Sequence, residues 1–238
     1  METSGPGPVR EPAPDGTPAG RGTGDRDDIR LRILRAAGLL FGQAGYELVT
    51  VSEIVERSGV PRTAVYRHFP SKEAIADAVI AVQDEALVPP PDGFRLQAAI
   101  DLSMTFAEML RYDPMIRGAV RLAVEQAAYR KPKATPYLGS HAVTLRLLQE
   151  ARDGGELLPH VDPEEVTRLV VGLFTGLQIL SEAAGGRTDL LDRVSFLWKS
   201  LLPGIAVPTL IPHLDTSPRQ GLRPAATPAA CGPGPGRC

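Results

Sequence analysis

The segment Thr50–Phe69 constrains the fold most strongly, because it predicts two short helices joined by a tight turn. Thr50, followed three residues later by Glu53, has the spacing of a capping box, which begins a helix by satisfying its first backbone N–H groups. Gly59 tolerates the positive φ that a sharp turn needs, and Pro61 suits the start of the next helix because no N–H is required there. The segment therefore predicts a helix-turn-helix.

The second helix of this segment predicts a cationic outer surface. From Arg57 to Lys72 the chain has four Lys or Arg residues, one His and no acidic residue. A short cationic helix, set across a turn from a supporting helix, fits the major groove of DNA. The predicted DNA-contacting residues are Thr50, Arg62, Thr63, Tyr66, Arg67, His68 and Lys72. The alternative is an ordinary helical hairpin inside a core, which is disfavoured because these cations have no acidic partners at helical spacing.

Charge and motif content exclude several classes of function. The net charge of −2 produces no general attraction to polyanions, so affinity for nucleic acid must come from a local patch. No arrangement of Ser, His, Asp, Glu or Cys matches a hydrolase, metalloprotease or nucleotide-binding motif, so we predict no enzymatic activity. The His residues lack metal-ligand spacing, and Cys231 and Cys238 in a Gly/Pro-rich end are predicted to be reduced thiols. We expect no metal and no cofactor.

The chain carries no segment typical of secretion or membrane insertion. Residues 1–24 contain no apolar stretch of signal-peptide type. The longest apolar run, Val166–Leu180, is interrupted by Arg168 and is shorter than the ~20 residues of a membrane span. We therefore expect a cytoplasmic protein without a membrane partner.

Helical periodicity dominates the region between two Pro- and Gly-rich ends and predicts an all-α fold. We expect disordered tails at 1–24 and 207–238, a helix-turn-helix domain of three helices within 25–88, and a helical domain at 94–206. A fourth helix, 71–87, links the two domains. Further helices are predicted near 94–111, 114–129, 136–153, 163–184 and 189–203.

These residues resemble the TetR family of bacterial repressors over positions of about 28–80. The matching positions are Leu39–Phe41, Gly45, Tyr46, Thr50, Val51, Ile54, Ser58–Val60 and Val65–Glu73. The resemblance implies a homodimer whose N-terminal domain binds operator DNA and whose C-terminal domain binds a small effector that releases the DNA. The alternative is a helix-turn-helix protein that binds DNA without any effector.

A second resemblance, to the γ-butyrolactone receptors of actinobacteria, involves the C-terminal region. It rests on Leu122–Ala123, Leu147–Leu148, Ala151–Arg152, Gly155–Leu157, Trp198 and Leu201–Ala206. Those receptors usually carry a ligand-contacting Trp where this chain has Gly139 or Ser140. We therefore expect a small apolar effector, either a γ-butyrolactone-like signal or, as the departure would suit, an antibiotic or its precursor, in a regulator of secondary metabolism.

Helix faces in the C-terminal region supply candidate walls for an effector pocket. The predicted ligand-contacting residues are Phe106, Met109, Met115, Leu122, Val143, Leu147, Phe174, Thr175 and Gln178. Each apolar member is equally explained as ordinary core, and the polar ones as exposed or paired between helices. Gly172 and Gly176, flanked by Leu169, Leu173, Leu177 and Leu180, predict a close helix contact at a dimer interface.

Overall fold

The computed structural model describes residues 21–90, 93–129 and 137–218, and these residues form an all-α fold, as predicted. The helices are α1 (Arg21–Leu48), α2 (Val51–Ser58), α3 (Arg62–His68), α4 (Lys72–Glu85), α5 (Arg95–Tyr112), α6 (Pro114–Tyr129), α7 (Leu138–Asp153), α8 (Pro163–Gly185) and α9 (Leu190–Ile205). A short 3₁₀ turn, Ile211–His213, follows α9. The helices form two apolar cores, one around α1–α4 and one around α5 and α7–α9.

The N-terminal core is assembled from apolar residues at helical spacing on α1, α2, α3 and α4. Ile33, Phe41, Ile54, Val65 and Val79 are almost completely buried in it. Helix α1 loses helical geometry at Gly45, where φ is 80° and ψ is 174°. Because a residue with a Cβ rarely adopts such a φ, Gly45 ends the regular part of α1.

Both predicted tail boundaries differ from the structure. At the N-terminus α1 already begins at Arg21, because extending a formed helix adds one backbone hydrogen bond for each residue ordered. At the C-terminus residues 207–218 belong to the described structure, and Leu210 is buried in the C-terminal core. The backbone of Asp215 bonds to the Gln97 side chain in both directions, at 2.7 and 3.0 Å. Both cysteines and residues 1–20 lie outside the described residues.

Helix α6 belongs to the C-terminal region in sequence but packs against the N-terminal core. Ala119 and Leu122 are buried there beside α1 and α4. The two helices α1 and α6 cross at Gly38 and Gly118, where a Cβ on Gly118 would lie 2.0 Å from the Gly38 carbonyl oxygen. Only glycines allow so close a crossing. The predicted boundary near residue 90 divides the chain into two segments, but α6 from the second segment packs in both cores.

Polar contacts lock the same junction at the end of α1. Arg121 on α6 donates to the carbonyl oxygens of Gly42 and Gln43, each at 3.0 Å. Glu125 accepts from the backbone N–H of Tyr46 at 2.8 Å and pairs with Arg121 at 2.9 Å. These contacts join α6 to the last turn of α1.

Candidate functional site

The turn between α2 and α3 has the geometry that the sequence predicted. The Thr50 hydroxyl accepts from the Glu53 N–H at 3.3 Å, and the Glu53 carboxylate accepts from the Thr50 N–H at 2.7 Å, which completes the capping box. Gly59 adopts φ 62° and ψ 21°, and Val60 is buried between the helices. Pro61 lies at the N-cap of α3 with extended geometry, and its carbonyl accepts the first bonds of that helix.

Helix α3 presents a polar outer face and an apolar inner face. Ala64, Val65 and Phe69 are buried against α1 and α4. Four of the predicted DNA-contacting residues are exposed on the opposite side: Arg62, Thr63, Tyr66 and Arg67. His68 is half-buried beside Phe69, with ring centroids 6.5 Å apart. The hairpin is therefore not buried in a core, and its cationic face is available to a ligand.

The side chains of this face are held by their neighbours. The Arg62 guanidinium donates to the Ser52 hydroxyl at 3.1 Å and to the Tyr66 hydroxyl at 3.4 Å, and it lies over the Tyr66 ring. Such contacts reduce the entropy that an arginine loses on binding. Ser52 was not singled out from the sequence, because no local pattern relates it to a residue ten positions later.

Lys72 occupies the other end of the same surface. Its ammonium lies 4.2 Å from the centroid of the Tyr46 ring and 3.5 Å from the Glu47 carbonyl oxygen, so α4 begins against the end of α1. Hydrogen bonds from the backbone N–H and hydroxyl of Thr50 hold the pKa of Glu53 below its ordinary value, and Lys72 adds to this effect. Thr50 and Lys72 therefore flank one exposed carboxylate.

Helix α1 adds cations that sequence reasoning missed. Arg32 donates to the carbonyl oxygens of Ser58 and Gly59 at 2.9 and 3.2 Å, which fixes the turn. Arg30 lies over the Phe69 ring, 5.2 Å from its centroid. Both side chains are exposed. The sequence around Arg32 does not indicate that this residue supports a turn 26 residues later in the chain.

A cavity lies in the C-terminal region between α4, α5, α6, α7 and α8. It encloses about 660 Å³ of empty space, including its opening to solvent. The walls are mostly apolar, and the rings of Phe106 and Phe174 meet at a centroid distance of 5.8 Å. The lining residues are Gln83, Leu87, Ala99, Leu102, Ser103, Phe106, Val120, Tyr137, Ser140, Thr144, Val170, Val171, Phe174, Thr175 and Gln178. This composition is typical of a site for a small apolar ligand.

Four of the predicted ligand-contacting residues line this cavity: Phe106, Phe174, Thr175 and Gln178. The other five do not line it, so the structure does not bring them together with the first four. Leu122 is buried in the N-terminal core and Met115 packs against it, because α6 faces α1 rather than the cavity at these positions. Met109, Val143 and Leu147 pack within the C-terminal core.

Helix α4 and the beginning of α7 contribute lining residues that the sequence did not indicate. Gln83 lies on α4, and Leu87 follows that helix. Tyr137 is the residue before α7, and Thr144 lies on α7. Burial raises the pKa of the Tyr137 hydroxyl, which remains a neutral donor. Within residues 21–90, 93–129 and 137–218, no group of three His, Cys, Asp or Glu side chains is placed to hold a metal ion.

An outward cationic helix on a capped helix-turn-helix, joined to a helical domain with an apolar cavity, defines a DNA-binding regulator. Residues 33–79 match the family described as bacterial regulatory proteins of the tetR family. Residues 94–208 match the family described as a tetracycline repressor-like C-terminal domain. The chain belongs to the TetR family of transcriptional regulators, as the sequence predicted, and not to a class of enzymes.

Individual relatives agree with this assignment. The A-factor receptor protein of Streptomyces griseus is 37% identical over 190 residues, which cover 80% of this chain and 68% of that protein. The crystal structure of TylP, a TetR regulator from Streptomyces fradiae, is 40% identical with a TM-score of 0.72, covering 81% of this chain and 86% of TylP. A γ-butyrolactone receptor structure is 25% identical with a TM-score of 0.62, covering 78% and 92% of the two chains. The predicted resemblance to receptors of this type is thereby confirmed.

Proposed function

We propose that this chain is a repressor that binds a pseudo-palindromic operator as a homodimer and is released by a small apolar effector. The observation that supports this best is the placement of α4. Lys72, at its first residue, lies beside the helix-turn-helix, and Gln83, in its last turn, lies in the cavity wall. One helix therefore connects a ligand site with a DNA-contacting surface.

An apolar face on α8 and α9 supports the homodimer. Leu173 is 44% exposed and Phe196 is 72% exposed, and Leu169, Ile179 and Leu180 are also exposed. A Cβ placed on Gly172 or Gly176 would meet no atom within 4 Å, so no contact within the described chain requires these glycines. Two helical glycines beside exposed leucines are explained by the close approach of a second copy.

The same face accounts for the apolar character of α8. By length and composition alone, α8 could cross a membrane, with a mean hydropathy of 1.2 over an 18-residue window that is 28% buried. In a dimer this surface is covered by the partner subunit. We propose a cytoplasmic protein without a membrane partner.

The cavity supports an apolar effector, and its wall differs from the tryptophan-bearing wall that we expected of butyrolactone receptors. Ser140 lines the cavity at the position where the sequence departs from those receptors, and Trp198 lies in the core with its N–H donated to Ser103 at 2.7 Å. We propose a γ-butyrolactone-like signal or an antibiotic-type metabolite as the effector, and secondary metabolism as the regulated process.

Release is proposed to act through the separation of the two recognition helices. A dimer reads two half-sites when its α3 helices are spaced for successive major grooves, about 34 Å apart. An effector that binds more tightly to a conformation with another spacing shifts the population away from DNA. Helices α4 and α6, which contact both cores, are the elements that move.

A gel-shift experiment with the DNA upstream of the chain's own gene tests this function. We expect a discrete protein–DNA complex at nanomolar protein concentration. The complex should be lost when an organic extract of a culture of the source bacterium, which contains its small metabolites, is added. A complex that no extract fraction releases would support the alternative, an effector-independent helix-turn-helix protein. If the protein forms no complex at low salt with the upstream DNA or with any unrelated duplex, DNA binding itself is contradicted.

A further inference from the structure

Gln83 has a buried polar atom that none of the described residues satisfies. The residue is 4% exposed, and its side-chain oxygen Oε1 is buried without a hydrogen-bond partner among the described residues. A buried acceptor without a donor is costly, and such groups in native structures need an explanation. Because Gln83 lines the cavity, a molecule bound there lies next to the side chain that carries this oxygen.

Three other polar side chains of the cavity wall, Ser103, Thr175 and Gln178, already have hydrogen-bond partners. Ser103 accepts from Trp198 and donates to the Ile100 carbonyl oxygen. Thr175 donates to the Val171 carbonyl oxygen at 2.8 Å. Gln178 accepts from Arg187 at 3.1 Å. Among the described lining residues, Gln83 is the one whose buried polar atom lacks a hydrogen bond.

The charges around the cavity define the kind of molecule that fits. None of the described lining residues is acidic or basic, so a charged ligand would be desolvated without a counter-charge. Tyr137 carries no charge either, and burial raises the pKa of its hydroxyl above its ordinary value. An acceptor at Gln83 requires a donor on the ligand, namely a hydroxyl or an N–H group.

We propose that Gln83 is the polar anchor of the effector, and that the effector is an uncharged molecule with an apolar body and a hydroxyl-type donor directed at α4. This assignment rests on the proposed effector-controlled function and names the chemistry of its ligand. A ligand bonded to Gln83 acts directly on the helix whose first residue borders the DNA-contacting surface. Gln83 is thus a specificity-determining residue and not part of the packing.

The matched probes are 1-decanol and 1-methoxynonane, which are isomers that differ in having or lacking a donor. Their affinities are measured by displacement of an apolar fluorescent dye from the full chain, without DNA. We expect the wild type to prefer the alcohol by roughly tenfold, the size of one buried hydrogen bond left unmade. In Gln83→Met, which keeps the shape of the side chain, the preference should fall to near unity.

Thermal unfolding separates an anchor from a structural residue. Because Gln83→Met removes an unsatisfied buried oxygen, we expect its melting temperature to equal or exceed that of the wild type. Gln83→Leu is the second apolar variant, and Gln149→Leu, an exposed change on α7, is the control that should keep the wild-type preference.

Several results would overturn the proposal. These are equal binding of both isomers by the wild type, binding of neither, an alcohol preference that survives in Gln83→Met, and loss of folding in both apolar variants. The readout does not involve DNA. If the alcohol preference depends on Gln83 but no operator complex forms, the ligand contact stands and the proposed repressor function fails.

Discussion

Arg62 lies at the start of the recognition helix, with its guanidinium held between Ser52 and Tyr66 on an exposed face. An arginine at this point of a helix in the major groove can bond to guanine through O6 and N7. Thr63 and Arg67 project from the same exposed side of α3. Base reading is therefore expected from α3, and phosphate contacts from the residues around it.

Replacing Arg62 by Ala is expected to weaken specific binding far more than non-specific binding. The loss should be about 1–3 kcal/mol on the cognate operator, because one bidentate base contact disappears. Fluorescence anisotropy with operator and scrambled duplexes measures both affinities, and Arg146→Ala, exposed on α7, is the control. An equal loss on every duplex would show that Arg62 contacts only phosphate.

Glu53 provides a prediction about pH at the same scale. Its pKa is lowered in the folded protein, mainly by the backbone N–H of Thr50. Its carboxylate therefore contributes stability above the ordinary glutamate range, and this contribution is lost as pH falls through the lowered pKa. Urea unfolding should show that the stability difference between wild type and Glu53→Gln shrinks as the solution is acidified. A difference that does not change with pH would contradict the assignment.

At the scale of elements, the crossing of α1 and α6 determines how the two cores are connected. The helices approach through Gly38 and Gly118, and Arg121 and Glu125 bond to the end of α1. These contacts make α6 part of the N-terminal core although it follows α5 in the chain. Val120 on α6 lines the cavity, and its neighbours Ala119 and Leu122 pack in the N-terminal core that supports the helix-turn-helix.

Gly118→Ala is expected to destabilise this crossing strongly. The new methyl group would overlap the Gly38 carbonyl, so α1 and α6 must separate, and overpacking of this kind costs typically about 1–3 kcal/mol or more. The control is Gly204→Ala on α9, where a Cβ meets no atom within 4 Å. Calorimetry should show a lower melting temperature for Gly118→Ala alone. Equal melting temperatures for both variants would rule out the tight crossing.

At the scale of the whole molecule, the exposed leucines of α8 and Phe196 of α9 form the apolar surface proposed to join two copies. A two-fold dimer would impose its symmetry on the operator. With a net charge of −2, DNA binding by such a dimer would depend on its two local cationic patches rather than on an overall field.

Leu173→Glu is expected to convert the dimer to a monomer. A carboxylate at the centre of an apolar interface would be desolvated without a partner in both copies. Sedimentation velocity should show half the wild-type mass, and operator affinity should fall by at least tenfold because two half-sites are no longer bound together. Val88→Glu, a change at an exposed residue of the linker, is the control. A Leu173→Glu protein that remains dimeric would place the interface elsewhere.

Local sequence determined the features that depend on neighbouring residues. Thr50 with Glu53, Gly59 and Val60 specified the capping box, the turn and the outward cationic helix, because capping, positive φ and helical spacing act within a few residues. The all-α fold followed from the same kind of pattern, and the TetR family was recognised by the resemblance of residues of about 28–80.

Only the tertiary structure decided which distant faces meet. It moved Met115 and Leu122 from the predicted pocket to the N-terminal core, and it brought Gln83 and Tyr137 to the cavity. It also packed Leu210 into the C-terminal core, in a segment where the local composition predicts a tail. An apolar helix face is compatible with any apolar partner, and the partner is chosen by the packing of the whole chain.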